Sequence, residues 1–234
     1  MSETQDATGS QATRIAVLVS GRGSNLGALL DAVRRGWVPG HIVTVVSNEP
    51  RAGALERAAE HGVAAHVIDH RQFPTREAFD AAVAAHLRQI GADLVVLAGF
   101  MRVLGREFVT AFEGRLINIH PSLLPDLPGL DTHARAIAAG RGEHGASVHF
   151  VSPQVDAGPI IAQARVPVLA VDDPEALAAR VLVQEHRLLP LVVRWFAQGR
   201  LELRDGRPVL DGVVLSQPLT MDEDPQTHEQ DSPH

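Results

Sequence analysis

Asn118 and His120 stand two residues apart in the stretch Leu116-Ile117-Asn118-Ile119-His120-Pro121-Ser122-Leu123-Leu124-Pro125. On an extended chain that spacing puts both side chains on one face. The amide can donate a hydrogen bond, and the imidazole can move a proton near neutral pH. Pro121 and Pro125 stop the strand and fix its exit loop. The pair suits group transfer to an amine: Asn118 would polarise an electrophilic carbonyl and hold its oxyanion, and His120 would donate or relay a proton. Asp156, just ahead of Gly158-Pro159, is the candidate acid partner that would orient the imidazole and favour its charged form. A simple turn aspartate is the plainer reading of that residue.

Missing residue types narrow the chemistry. The chain has no Cys, no Tyr and no Lys; all 21 basic residues are Arg. Thiolate, Schiff-base, pyridoxal-phosphate and P-loop lysine chemistry are therefore excluded, and acid-base work falls to His, Asp and Glu. Gly-x-Ser-x-Gly fails at every Ser, Gly145-Ala146-Ser147-Val148-His149 included, which argues against a serine hydrolase. None of the 12 His falls in a His-Glu-x-x-His motif, so no metal is expected, although His120, His133 and His149 could converge on one. A non-catalytic nucleotide-binding module is the rival from another class.

These residues need a scaffold. Arg14 to Ser20 reads as an apolar strand, Gly21-Arg22-Gly23-Ser24-Asn25 as a turn, and Leu26 to about Arg35 as a helix. Strand, glycine turn and helix make an anion cradle, because the backbone can approach a ligand and the helix start offers free N–H groups. A third glycine for a dinucleotide site is missing, since position 26 is Leu. Monophosphate binding is favoured over a plain turn capped by Ser24. Strands follow at Ile42–Val46, Ala64–Ile68 and Asp93–Ala98, with helices at Ala52–His61, Thr75–Ile90 and Arg106–Phe112. Arg76 opens the second of these helices, as an anion contact or a solvated cation. Phe100, Met101 and Val103 follow a central strand and could line a slot for a flat ring, or pack on the next helix.

Beyond Pro125 an irregular loop leads to a helix capped by Asp131 or Thr132. Strands at Gly145–Val151 and Ile160–Val166 lack a helix between them, so an antiparallel edge pair is expected. Pro174 opens a long helix that Pro190 should kink. On it, Glu185 could accept hydrogen bonds from ligand hydroxyls or simply face solvent. A hairpin around Asp205-Gly206 ends the ordered chain. The expected fold is α/β: a doubly wound, mostly parallel twisted sheet with helices on both faces. Its strand ends should gather the glycine turn, Asn118/His120 and the Asp156 loop into one crevice.

Size and composition agree. The 234 residues, 45% hydrophobic and 21% charged, suit a globular protein with no membrane span. Residues 1–13 read as a disordered arm without a signal peptide, 14–211 as a single domain, and 212–234 as a disordered acidic tail. The net charge of −7 resides in those ends, so the balanced body argues against nucleic acid as ligand. Zero Cys fits a cytoplasmic protein.

Ser20-Gly21-Arg22-Gly23-Ser24-Asn25-Leu26, Leu97-Ala98-Gly99-Phe100-Met101-Arg102, the Asn118–Pro125 stretch, His144–Val151 and Asp156-Ala157-Gly158-Pro159-Ile160-Ile161 together resemble the folate-dependent phosphoribosylglycinamide formyltransferases of purine biosynthesis. The likeness runs in order from about Arg14 to Leu203. It implies a transferase of the formyltransferase fold type, with a phosphate-binding half at about 14–112 and a folate-binding, catalytic half at about 113–211. The glycinamide amine would attack the formyl carbon of 10-formyltetrahydrofolate, a co-substrate, through a tetrahedral intermediate. Asn118, His120 and Asp156 match the catalytic positions. Gly23, Ser24 and Asn25 match the phosphate contacts and Glu185 the ribose contact. Arg76, Met101, Arg102, Val103, Leu104, Ser152, Pro153, Gln154 and Val155, with Asn118 and Asp156, match positions around the folate. No metal is implied, and the assembly would be a monomer or homodimer. Two residues depart from the pattern: Asp126 replaces a basic residue and Asp131 a histidine. A 10-formyltetrahydrofolate hydrolase is the alternative within the same group.

Overall fold

The computed structural model describes residues 12–221. The first strand, β1 (Thr13–Val19), runs through the glycine turn into helix α1 (Ser24–Arg34). Next come β2 (Gly40–Ser47), α2 (Gly53–Glu60), β3 (Ala65–Val67), α3 (Arg76–Gln89), β4 (Leu94–Leu97), α4 (Arg106–Ala111) and β5 (Leu116–His120). After α5 (Thr132–Ala138) follow β6 (Glu143–Phe150), β7 (Ile160–Pro167) and α6 (Pro174–Ala197), which continues through Pro190. β8 (Leu201–Arg204), β9 (Arg207–Leu210) and β10 (Val213–Val214) form a small antiparallel sheet, and β11 (Leu219–Thr220) rejoins the large one. The β8–β9 turn uses Asp205 (φ 51°) and Gly206 (φ 72°), the left-handed pair that an Asp-Gly hairpin favours. No helix among the described residues is long and apolar enough to cross a membrane.

The large sheet has the order β11-β7-β6-β5-β4-β1-β2-β3. β1 pairs in parallel with β2 on one side and β4 on the other. The chain reverses its direction of growth there, which opens a crevice at the carboxyl ends of β1 and β4. Side chains of β1 alternate between two cores. Ile15, Val17 and Val19 face the layer of α1 and α6, while Ala16 and Leu18 face that of α3 and α4. A strand covered on both faces reads as one continuous apolar run, which is why Ile15 to Val19 carries no polar residue. The doubly wound α/β reading therefore holds.

Three expectations need correction. The expected antiparallel pair is present as β6 with β7, but it is not at the edge: β6 lies inside the sheet, antiparallel to β5 as well. The edge is β11, which pairs in parallel with β7 through Leu219 and Thr220. Residues 212–221 are thus part of the fold rather than of a disordered tail. Apolar residues scattered in a polar stretch carry them, Met221 being buried in the core and β11 covering the edge of β7. At the other end Thr13 belongs to β1 rather than to an arm. The remaining parts of both terminal expectations, residues 1–11 and 222–234, lie outside the described residues.

Candidate active site

β5 presents Asn118 and His120 on the same face as Leu116, the α3–α4 side of the sheet. Antiparallel pairing with β6 sets Asn118 opposite His149 and His120 opposite Ser147. The Asn118 amide lies 3.2 Å from His149 Nε2. His149 Nδ1 sits 2.9 Å from its neighbour's carbonyl, Phe150 O, and so donates to it. Its Nε2 is then left with a lone pair that can accept from the Asn118 amide. Burial pushes the His149 pKa down, against opposing pulls from the Phe150 carbonyl and Asp156, so the ring stays in this neutral form. One N–H of Asn118 is thereby committed, and its other N–H and carbonyl remain for a ligand.

His120 is 6% exposed. Its Nε2 lies 3.1 Å from Leu127 O, in the loop beyond Pro125. Its Nδ1 lies 3.5 Å from Asp156 Oδ2, while Asp156 Oδ1 is 3.8 Å from His149 Nε2. The carboxylate thus sits between two imidazoles at distances beyond a direct hydrogen bond. Its firm bond is to the Gly129 N–H at 2.8 Å, which ties the loop after Pro125 to the site.

Asp156 does not arrive from the strand end that was expected. Because β6 is antiparallel, the loop after Phe150 leaves beside Ile117, at the start of β5. It doubles back over the sheet face so that Asp156, in the left-handed region at φ 51°, meets both histidines. Gly158 allows the return, since a Cβ there would lie 1.8 Å from Phe150 O. A non-glycine residue at positive φ is a local strain of the kind found at functional sites.

The glycine turn lies one strand beyond β4. Gly23 caps α1 at φ 74° without a side-chain bond, so Ser24 is the first helical residue and not the cap. The first intrahelical bond runs from Gly27 N to Gly23 O. The first-turn N–H groups before it have no helical partner, which suits the helix start to an anion. A Cβ on Gly23 would sit 2.6 Å from Ala54 Cβ, so the turn packs closely on α2. Asn25 Nδ2 donates to Glu185 Oε2 at 3.0 Å. Glu185 is 7% exposed, which removes the reading of a solvated helix acid; burial raises its pKa, partly offset by the Asn25 bond.

The loop after β4 starts beside Asn118, which pairs with Leu97. The Ser20 hydroxyl holds it, accepting from Met101 N at 2.7 Å and donating to Asn48 Oδ1. Met101 and Val103 are 67% and 50% exposed, and Val155 in the Asp156 loop 54%. These apolar groups near the polar cluster fit the edges of a flat heterocycle, so the chain's residues fit a folate co-substrate. Arg102 stacks 6.0 Å from the Phe79 ring, and its buried Nε has no partner among the described residues. Leu104 points away into the core with Phe79 and Phe108, so any ligand contact there is through its backbone. Arg76 is exposed at the start of α3, 3.5 Å from Glu77. Pro153 and Gln154 are exposed, and Ser152 bonds Gln154 O at 3.1 Å.

The two unusual acids have ordinary local settings. Asp126 pairs with Arg141 at 2.8 Å, which brings a cation to that loop by another route. Asp131 caps α5 at φ 57° without a side-chain bond, while Thr132 bonds Pro121 O at 2.6 Å. Near them His144 Nε2 and His133 Nδ1 are 3.1 Å apart. Burial, with repulsion from His133 and His120, lowers His144 to about 4. Among the described residues no group of His, Asp and Glu could hold a metal ion.

Sequence reasoning placed His149 only in a possible metal set with His120 and His133, and missed its bond to the Asn118 amide. Its alternation with Ser147 was visible, but the register that puts it opposite Asn118 was not.

The chain matches the formyl transferase family over residues 13–193. It is 48% identical over 201 residues to the phosphoribosylglycinamide formyltransferase of Escherichia coli (strain K12), covering 86% of this chain and 95% of that one. It is 41% identical over 190 residues to the human trifunctional purine biosynthetic protein adenosine-3, covering 81% of this chain and 19% of that protein. The phosphoribosylglycinamide formyltransferase structure from Coxiella burnetii, in complex with CHES, superposes with a TM-score of 0.86 at 44% identity, covering 90% of this chain and 99% of that one. Glycinamide ribonucleotide transformylase 1 from Symbiobacterium toebii gives 0.84 at 47% identity, covering 89% and 98%. The chain therefore belongs to the formyl transferase family.

Proposed function

We propose that the chain is a phosphoribosylglycinamide formyltransferase. It moves the formyl group of 10-formyltetrahydrofolate to the glycinamide amine of 5'-phosphoribosylglycinamide, a step of purine (IMP) biosynthesis. The observation that carries this reading is the Asn118–His149–Asp156–His120 cluster, together with the start of α1, which no side chain caps. The covered length of the bacterial relatives, 95% or more, supports the whole reaction and not a part of it.

Each side chain has a role that its surroundings support. Asn118, oriented by His149, holds the oxyanion as the amine attacks the formyl carbon. His120, between Leu127 O and the Asp156 carboxylate, moves the proton, and Asp156 stabilises the charged ring. Gly23, Ser24 and Asn25 bind the phosphate through backbone N–H groups, and Glu185 takes the ribose hydroxyls. The half at 14–112 serves the phosphate and that at 113–211 the folate and the chemistry. Arg76, Met101–Leu104 and Ser152–Asp156 border the folate, whose rings lie against Met101, Val103 and Val155. The catalytic chemistry needs no metal and no nucleic acid. A cytoplasmic setting agrees with the absence of Cys, and a monomer or homodimer completes the reading.

The test is a direct assay in which the protein is mixed with phosphoribosylglycinamide and 10-formyltetrahydrofolate. Formylated ribonucleotide in step with tetrahydrofolate is expected. Tetrahydrofolate and formate without formylated product would make the protein a hydrolase. Ribonucleotide binding without turnover of either kind would make it a binding module.

A further inference from the structure

A second polar site lies away from Asn118 and His120. α1, α2 and α6 line an open cavity of about 1030 Å³, at the upper limit of small-molecule sites. Arg35, Arg57, Arg187 and Arg194 line it with His61 and His186. Asp31 is the one carboxylate lining it, and Asp31 already pairs with Arg34 at 3.0 Å and lies 3.5 Å from His61. The cavity therefore carries an uncompensated surplus of guanidinium charge.

Arg194 is the most informative of these. It is 9% exposed, with its guanidinium 5.0 Å over the Trp37 ring. Its Nε and Nη1 are buried and have no hydrogen-bond partner among the described residues, and the same is true of His186 Nε2. A buried guanidinium with idle donors costs free energy unless an acceptor reaches it. Its fixed positive charge lines the cavity, where an anion would meet it, and the contact with Trp37 holds the guanidinium in place.

The cavity runs the length of α1. Ser24 lines one end, and Arg35 and Trp37 the other. Arg35 follows Ser24 by eleven helical steps, about 16 Å at the α-helical rise. The Arg194 end is therefore distinct from the glycine turn.

The geometry points to a second anion site at Arg194, Arg35 and Trp37, which takes a small molecule carrying a di- or oligophosphate group. More than one charge is called for because four arginines line the cavity against one carboxylate.

The test is titration of the full chain with inorganic pyrophosphate, followed by calorimetry and tryptophan emission. Saturable binding is expected, weakened by added salt. Arg194→Gln and Arg35→Gln should each weaken it by at least ~10-fold, as loss of a charged hydrogen bond implies. The KM for phosphoribosylglycinamide should stay unchanged in both. Arg35 is exposed, so its variant keeps the test open if Arg194→Gln fails to fold. Absence of saturable binding would overturn the site. So would equal binding by both variants, which would put the anion elsewhere, for example on the Gly21–Asn25 turn. Binding seen only after Asp222, Glu223 and Asp224 are changed to amides would assign the cavity to the chain's own carboxylates and overturn a small-molecule ligand.

Discussion

At the scale of single residues, the site is a chain of polar contacts in which each member fixes the next. Phe150 O fixes the tautomer of His149, His149 fixes the amide of Asn118, and Asp156 stands between His149 and His120. His149→Phe removes the acceptor for the amide while keeping a ring of similar volume. The expected result is a fall in kcat of roughly ten- to a hundredfold with KM for both substrates little changed, less than loss of an oxyanion donor itself. Steady-state kinetics decide it, and a rise in KM with kcat intact would contradict the positioning role. Asp156→Asn keeps the shape but removes the charge beside His120. It should lower kcat by ~10²–10⁴-fold, the usual range for general acid-base support. Asn118 and His120 were legible from spacing alone, because period-two alternation needs no partner strand. His149 was not, because only the register of β5 against β6 brings it to the amide.

At the scale of elements, two glycines let loops come close enough to make a site. Gly23 sets the left-handed cap of α1 against α2, and Gly158 lets the Asp156 loop turn back under Phe150 O. Gly23→Ala places a Cβ 2.6 Å from Ala54 Cβ in a left-handed conformation, so α1 must shift away from α2. The expected outcome is a KM for the ribonucleotide raised at least ~10-fold, with kcat at saturation reduced far less. Equal loss in kcat and none in KM would show that the turn does not hold the substrate. The strand–turn–helix unit was readable from its apolar run and its glycines. The origin of the Asp156 loop was not, since the sequence pointed to an antiparallel β6–β7 pair but not to β6 lying inside the sheet, antiparallel to β5 as well. Nor did it reveal β11, whose two residues gain order from pairing with β7 rather than from their own propensity.

At the scale of the whole molecule, buried neutral imidazoles link stability to pH. His144 is lowered to about 4 by burial and by nearby His133 and His120, and His86, His133 and His149 are lowered chiefly by burial. An unfolded His takes up a proton near 6.5, before the native one does, so unfolding binds protons and stability falls as pH drops. For His144 the loss develops between pH 6.5 and about 4 and is on the order of 3 kcal/mol. Glu185, raised by burial, opposes this in sign, because its contribution is present at low pH and is lost as pH rises. Urea unfolding at pH 7 and pH 5 should show the fall, and His144→Gln should flatten it. A slope unchanged in that variant would contradict the assignment.

The doubly wound order sets the glycine turn after β1 and the amide–imidazole pair of β5 toward the carboxyl ends of their strands, and that arrangement is the basis of the proposed reaction. Its most direct measurement uses 10-formyltetrahydrofolate labelled with ¹³C in the formyl group, with the wild-type chain and His120→Ala run side by side. Label should appear in the glycinamide ribonucleotide with the wild type, and transfer should fall ~10²-fold or more in the variant while ribonucleotide affinity is kept. Label released as formate by the wild type, or transfer undiminished in His120→Ala, would contradict it.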